Sequence, residues 1–260
     1  MSVPETKSSE ITDKINLLSQ QSDVSPFEVK SLQREIDQLR KFDAGEAYML
    51  NGMLCSVLGE YERSKDYHEK TLKLRYSVVE IINYAVSMKR LGRSRESLAL
   101  YIRASEMDPG THNHYGCIFQ LMTFVGDFEE VEAILARFKK ANPGFDTSEL
   151  HHMKTINSIR RDLAALGVPE SEFKIAGALV EKAISEFGFN CRQMSSEISN
   201  FDGVNHLYVE LAVEAKSASD LVGVNDRVVE LILGCEELTC WDKLVYNIIG
   251  FHSNDAEKAA

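Results

Sequence analysis

The sequence predicts a mainly α chain, an array of helical hairpins followed by a small α+β domain at the C-terminal end. Three observations carry that prediction. A glycine-centred segment recurs as Leu58-Gly59-Glu60-Tyr61, Leu91-Gly92-Arg93-Ser94 and Val125-Gly126-Asp127-Phe128, with its glycines 33 and 34 residues apart. Stretches with helical apolar spacing flank each segment on both sides. Near residue 205 the apolar period changes to two.

In chain order, Ile11, Ile15 and Leu18 form a weak amphipathic stretch. Ser25-Pro26-Phe27-Glu28 then reads as a helix start, with a capping serine, proline at the first helical position and glutamate at the third. Val29, Leu32, Ile36 and Leu39 follow at helical spacing. Residues 1–44 are therefore expected to be capping helices, because an uncovered end of a helical stack leaves an apolar face. Residues 45–144 hold three hairpins. Their glycines suit tight turns between antiparallel helices, where a residue of positive φ is needed.

This span of about 100 residues resembles the tetratricopeptide repeat family. The family places a small residue midway along the first helix, where Gly52 and Ala85 stand and where Phe119 departs from the pattern. An aromatic residue two positions after the turn glycine is matched by Tyr61 and Phe128 but not Ser94. Tyr101 with Ala104 matches late in the second repeat, and Pro109 and Pro143 close repeats two and three, whereas repeat one has Tyr76. The resemblance implies a protein-binding array whose first helices line a concave groove. By position, the lining residues are Met49, Met53, Val57, Ile82, Val86, Lys89, Arg90, Asn113, Gln120 and Thr123. Some of these are equally readable as core, since neighbouring helices in a short array cover each other. The family's clamp for a terminal carboxylate uses lysine and asparagine where Met49, Met53, Ile82 and Val86 stand here, so chaperone-tail binding is not implied. Methionines and aliphatics favour an apolar helix or an extended segment.

Beyond Pro143 the period is lost, and residues 145–252 are expected to form an α+β domain. Leu150, Met153, Ile156, Ile159 and Leu163 make one helical face, ended by Gly167 and Pro169. A second helix is expected from Ser171 to Phe187. From Asn205 to Ala215, Leu207, Val209, Leu211 and Val213 alternate with polar residues, as in a half-buried strand. Arg192 to Ser199 is its expected hairpin partner across a turn containing Asp202-Gly203. A helix from Ser219 to Gly234 follows. Lys243 to Phe251 is apolar on both faces and reads as a central strand. Residues 253–260 read as a disordered tail.

A net charge of −11 sets the long-range field against phosphate backbones, which disfavours nucleic acid as a general partner and favours a basic protein. The polar start MSVPETK does not read as a secretory signal, no membrane span is evident, and a cytoplasmic protein is expected. Cys55, Cys117, Cys191, Cys235 and Cys240 are odd in number and irregularly spaced, so reduced thiols are expected rather than a zinc site or a disulfide framework. His151 and His152 point about 100° apart on a helix, and His112 and His114 flank a repeat boundary, so no metal signature arises. No cofactor or catalytic motif is present.

From Cys191 to Lys243 ten acidic residues, among them Glu197, Glu210 and Glu214, face four basic ones. That excess reads either as a solvated surface or as a docking face for a basic protein, with Glu210 and Glu214 on one face of the strand. The expected function is a non-enzymatic adaptor or regulator, or more sharply an inhibitor of antitoxin or immunity type. An enzyme with its site in the C-terminal sheet and a self-associating structural subunit are the alternatives. The oligomeric state is not legible.

Overall fold

A computed structural model describes residues 4–21, 24–147, 150–215 and 217–251. The expected tail at 253–260 lies outside the described residues. The fold is mainly α, ten helices in series followed by a three-stranded sheet with one further helix. The helices are α1 (Pro4–Leu18), α2 (Pro26–Leu39), α3 (Ala44–Val57), α4 (Tyr61–Leu74), α5 (Val78–Arg90), α6 (Ser94–Met107), α7 (His112–Val125), α8 (Val131–Ala141), α9 (His151–Leu166) and α10 (Glu170–Glu186). Strands β1 (Cys191–Phe201) and β2 (Val204–Val213), helix α11 (Ala218–Leu233) and strand β3 (Leu244–Gly250) follow among the described residues.

The helix starts are set by local chemistry. Asp43 caps α3 by accepting from the Glu46 N–H at 3.0 Å, and Arg75 ties both carboxylates at 3.2 and 2.7 Å. Ser77 caps α5 by accepting from the Val79 N–H, and its hydroxyl also donates to the Glu80 carboxylate. Pro26 stands at the start of α2 as expected, but the Ser25 side chain makes no cap bond; its carbonyl takes the Val29 N–H at 3.1 Å instead.

The hairpins turn at Gly59, Gly92 and Gly126, with φ of +74°, +70° and +67°. In the first two turns the residue after the glycine bonds back to the carbonyl five positions earlier, Glu60 to Cys55 and Arg93 to Met88, each at 2.9 Å. The small residues of α3 and α5 sit under the following helix. A Cβ on Gly52 would lie 2.7 Å from the His68 ring, and Ala85 is fully buried. The Ser64 hydroxyl donates to the Gly52 carbonyl at 2.8 Å, and one period on Ser97 donates to Ala85 at 2.8 Å. The third hairpin has Phe119 and Val131 at those places and packs by apolar contact, with the Tyr115 and Phe138 rings 4.7 Å apart.

Two apolar clusters result. Helices α1 and α2 stack on α3, burying Ile11, Ile15, Leu18, Leu32, Ile36 and Leu39 with Leu50 and Leu54. A larger cluster runs from Ala85 through the third hairpin into α9, α10, α11 and the sheet, as far as Ile248. Between them, the buried residues of α4 are all polar: Ser64, His68 and Thr71. His68 stacks on Tyr84 with ring centroids 4.8 Å apart, and its Nε2 meets the Ser87 hydroxyl at 2.8 Å.

The C-terminal unit docks on the hairpin turns. A Cβ on Gly92 would lie 2.6 Å from the Phe189 carbonyl oxygen, and one on Gly177 would lie 2.5 Å from the Val125 carbonyl oxygen. Arg95 clips the two parts, donating to the carbonyls of Val125 and Lys174 at 2.8 Å each and pairing with Glu181 at 3.2 Å. The sheet order is β1-β2-β3, with β1 antiparallel and β3 parallel to β2. The segment from Lys243 to Phe251, expected as a central strand, thus provides the edge strand β3. It is apolar because Leu244 and Ile248 enter the core and α11 lies against it.

Two outcomes follow from this packing. Gly59 has nothing within 4 Å of an added Cβ, whereas Gly92 has a carbonyl there. Gly59→Ala should cost about 1–2 kcal/mol for its positive φ alone, and Gly92→Ala a further 1–3 kcal/mol, about the range for overpacking. Denaturant unfolding checks this, and equal losses would place the Phe189 contact elsewhere. Burial holds His68 down at about 3, against 6.5 for a free imidazole. A depressed histidine pKa means that the unfolded chain binds the extra proton between those values. Its contribution is therefore complete above pH 6.5 and falls by about 1.4 kcal/mol per pH unit as pH drops towards 3. His68→Phe should flatten that part of the stability–pH profile; an unchanged slope would show that His68 does not titrate with unfolding.

Candidate protein-docking surfaces

The first-helix face of the array is narrower than the sequence implied. Met49 and Met53 are 4% and 3% exposed and belong to the N-terminal cluster. They are core rather than lining, because the α1–α2 hairpin stacks against α3 and covers them. Thr123 is also buried, its hydroxyl donating to the Phe119 carbonyl at 2.8 Å, and Val57 packs against the N-terminal cluster. Ile82 and Val86 are half-buried against the larger core. Lys89 donates to Gln120 at 2.6 Å and Arg90 to Ser56 at 2.9 Å, so these long side chains run along the face rather than away from it. Asn113 is exposed.

The sheet offers a second surface. Asp202 and Gly203, at φ of 50° and 81°, form the two-residue turn that the Asp-Gly pair signalled. This sets the register: Phe201 lies opposite Val204, Glu197 opposite Tyr208 and Ser195 opposite Glu210. Leu207, Val209, Leu211 and Val213 all point into the core. Glu210 is half-buried on the opposite face, where the Tyr208 hydroxyl donates to it at 3.3 Å and Asn247 in turn donates to Tyr208 at 2.7 Å. Glu214 does not share this patch. Strand β2 ends at Val213, and the Glu214 carboxylate pairs with Arg192 at 2.8 Å.

The two edges of the sheet are treated differently. On β3 the Asn225 side chain donates to the Ile248 carbonyl and accepts from the Ile248 N–H, both at 2.8 Å, sealing the outer edge there. The signal was available in the sequence, as a lone amide between the inward Val224 and Val228 of α11. On β1 the case is reversed. In a hairpin closed by a two-residue turn, the residues flanking the turn bond to each other and bonded pairs then alternate. Starting from Phe201 and Val204, the backbone groups of Asn200, Ile198, Ser196 and Met194 point away from β2. Among the described residues no backbone bond from another element reaches them.

Burial and hydrogen bonding also shift several titratable groups away from these two surfaces. Burial pushes the thiols of Cys55 and Cys191 up to about 12, and the phenols of Tyr101 and Tyr246 upward as well. Glu172 accepts from the Thr239 hydroxyl at 2.6 Å and the Cys240 N–H at 2.8 Å, which holds its carboxyl below the usual range and pins the segment before β3 to α10. His112 sits edge-on to Phe138 and Phe145 and meets Asn142 at 2.7 Å. The side chain of His151 lies outside the described residues. Among the described residues no group of three or more His, Cys, Asp or Glu is placed to hold a metal ion, and no helix is long and apolar enough to cross a membrane. No protein-family model, curated protein or solved structure matches the chain.

The open edge has a direct signature. Amides of Met194, Ser196 and Ile198 should exchange with solvent at least about tenfold faster than those of Ser195, Glu197 and Ser199, which bond to β2. Residue-resolved hydrogen exchange reads this, and equal protection along β1 would show that the edge is covered.

Proposed function

We propose that the chain is a non-enzymatic protein-binding adaptor or regulator, built on three tetratricopeptide-type repeats over residues 45–144. Its partner is a basic protein, an extended segment of which adds to the sheet alongside β1. The repeat assignment is supported by the Ser64–Gly52 and Ser97–Ala85 bonds, the same contact one period apart. The observation that carries the functional reading is the open edge of β1. Its outward N–H and C=O groups suit main-chain pairing with an added strand. Glu197 on β1 and Glu210 on its neighbour stand beside that edge, and Asp202 at the hairpin tip. Carboxylates there speed the approach of a basic segment and sort partners, while the backbone supplies affinity. An inhibitor of antitoxin or immunity type is the sharper form of this reading. The enzyme alternative needs a thiol or acid poised for chemistry, and burial drives the Cys55 and Cys191 thiols the other way.

Ser196→Pro tests the edge. Proline there removes an outward N–H and leaves the bonds to β2 intact, a position where strands tolerate it. Affinity capture from the native cell should recover one stoichiometric basic partner with the wild-type chain. Ser196→Pro should lose it by about tenfold or more, with a thermal midpoint lowered by a few degrees at most. Retention of the partner by Ser196→Pro would sink the edge as the site and leave the array face around Ile82 and Val86. A wild-type dimer in sedimentation that Ser196→Pro splits would make the chain a self-associating subunit instead.

A further inference from the structure

A cleft of about 300 Å³ opens where the end of α1, the turns after α3 and α5, and the α10–β1 connection meet. Among the described residues its walls carry Arg90, Arg93 and Arg192 against one carboxylate, Glu214, a net charge of +2 in a chain whose total is −11. Glu214 is engaged by Arg192 at 2.8 Å, and both are about half exposed, so that pair can open without unpacking the core. Arg90 is half-buried and donates to the Ser56 hydroxyl at 2.9 Å. Arg93 lies over the Tyr61 ring at 4.3 Å, donates to the Ser185 hydroxyl at 3.3 Å, and its buried Nε has no partner. Among the described residues neither Arg90 nor Arg93 has a carboxylate at ion-pair distance. A guanidinium carries five N–H donors, and one of each is engaged by a serine hydroxyl.

We infer that this cleft binds a phosphate group through Arg90, Arg93 and Arg192. The charge sets the ligand class. A phosphate dianion offsets the net +2 of the walls, whereas a single carboxylate leaves half of it in place. Guanidinium forks also match phosphate oxygens two at a time. The Arg192 charge, acting on an Arg90 already disfavoured by burial, lowers the Arg90 pKa, and a dianion between the two reverses that repulsion. Ser56 and Tyr61 are themselves on the cleft wall and hold the two array arginines, Ser56 by accepting from Arg90 and Tyr61 by lying under Arg93, so the forks are braced before a ligand arrives. Because the walls come from α1, the array and β1, occupancy ties the start of the open strand to the array.

The test uses the full chain, with calorimetric titration and thermal unfolding at constant ionic strength in chloride. Inorganic phosphate should bind at one saturable site and raise the thermal midpoint, and acetate should not. Arg90→Gln and Arg93→Gln should each weaken binding by about tenfold or more, the effect of losing charged hydrogen bonds. Arg90→Lys keeps the charge, loses the fork and should fall between; it serves if Arg90→Gln does not fold. Lys14→Gln, at a residue paired with Glu35 outside the cleft, should bind like wild type. A phosphoserine peptide that binds more tightly than inorganic phosphate assigns the group to a phosphorylated protein, and one that binds more weakly assigns it to a small soluble ligand. No saturable response to phosphate, an equal response to acetate, or an undiminished response in the Arg90→Gln/Arg93→Gln variant overturns the assignment.

Discussion

The contact on which the rest of the molecule depends is one of bare backbone against backbone. At Gly92 the turn of the array meets the Phe189 carbonyl, and at Gly177 helix α10 meets the Val125 carbonyl, each so closely that a single Cβ would intrude. Close approach brings the apolar faces of α9 and α10 onto α7, and one core then runs from Ala85 to Ile248. Arg95 seals the seam at the carbonyl that the end of α7 leaves open, and it also bonds the Lys174 carbonyl within α10. Glu181 beside it remains harder to ionise than a free carboxyl, because burial outweighs the hydrogen bonds from Arg95. The clip therefore works mainly by satisfying backbone oxygens. The hairpin array and the α+β unit, distinct in sequence pattern, are joined through these turns.

What the sequence disclosed follows from local chemistry. Glycines at a fixed period located the turns because positive φ is a property of single residues. Asp202-Gly203 located the β-hairpin for the same reason, and strict alternation placed Leu207 to Val213 in the core. What it concealed depends on distant neighbours. Met49 and Met53 stand where a groove would be lined, but α1, more than thirty residues earlier, covers them. Lys243 to Phe251 is apolar enough for a central strand, yet Asn225 of α11 seals its outer edge and lets it lie at the side of the sheet. Glu214 shares strand parity with Glu210, but the strand stops one residue short of it. The arginine cleft draws on five separate segments and had no linear signature at all.

The two surfaces differ in how they are built. The edge of β1 is open backbone, with side chains that bias approach but do not shape a pocket. The cleft is the reverse, three long cations of which Arg90 and Arg93 are braced by Ser56, Ser185 and Tyr61 and Arg192 by Glu214. They share one residue, since Arg192 belongs to β1 and also lines the cleft. Its partner Glu214 extends from the neighbouring strand, so the ion pair crosses the same ladder whose far side is open.

The polar lining of α4 bears on how the molecule comes apart. Hydrogen bonds need a narrow range of distance and angle, so a polar interface holds in one arrangement or releases. Ser64, His68 and Thr71 give the array a boundary of this kind between two apolar clusters of unequal size. The smaller, built around α1 to α3, can open and reclose while the larger core stays shut, which makes the N-terminal end the natural place for fluctuations in the native state.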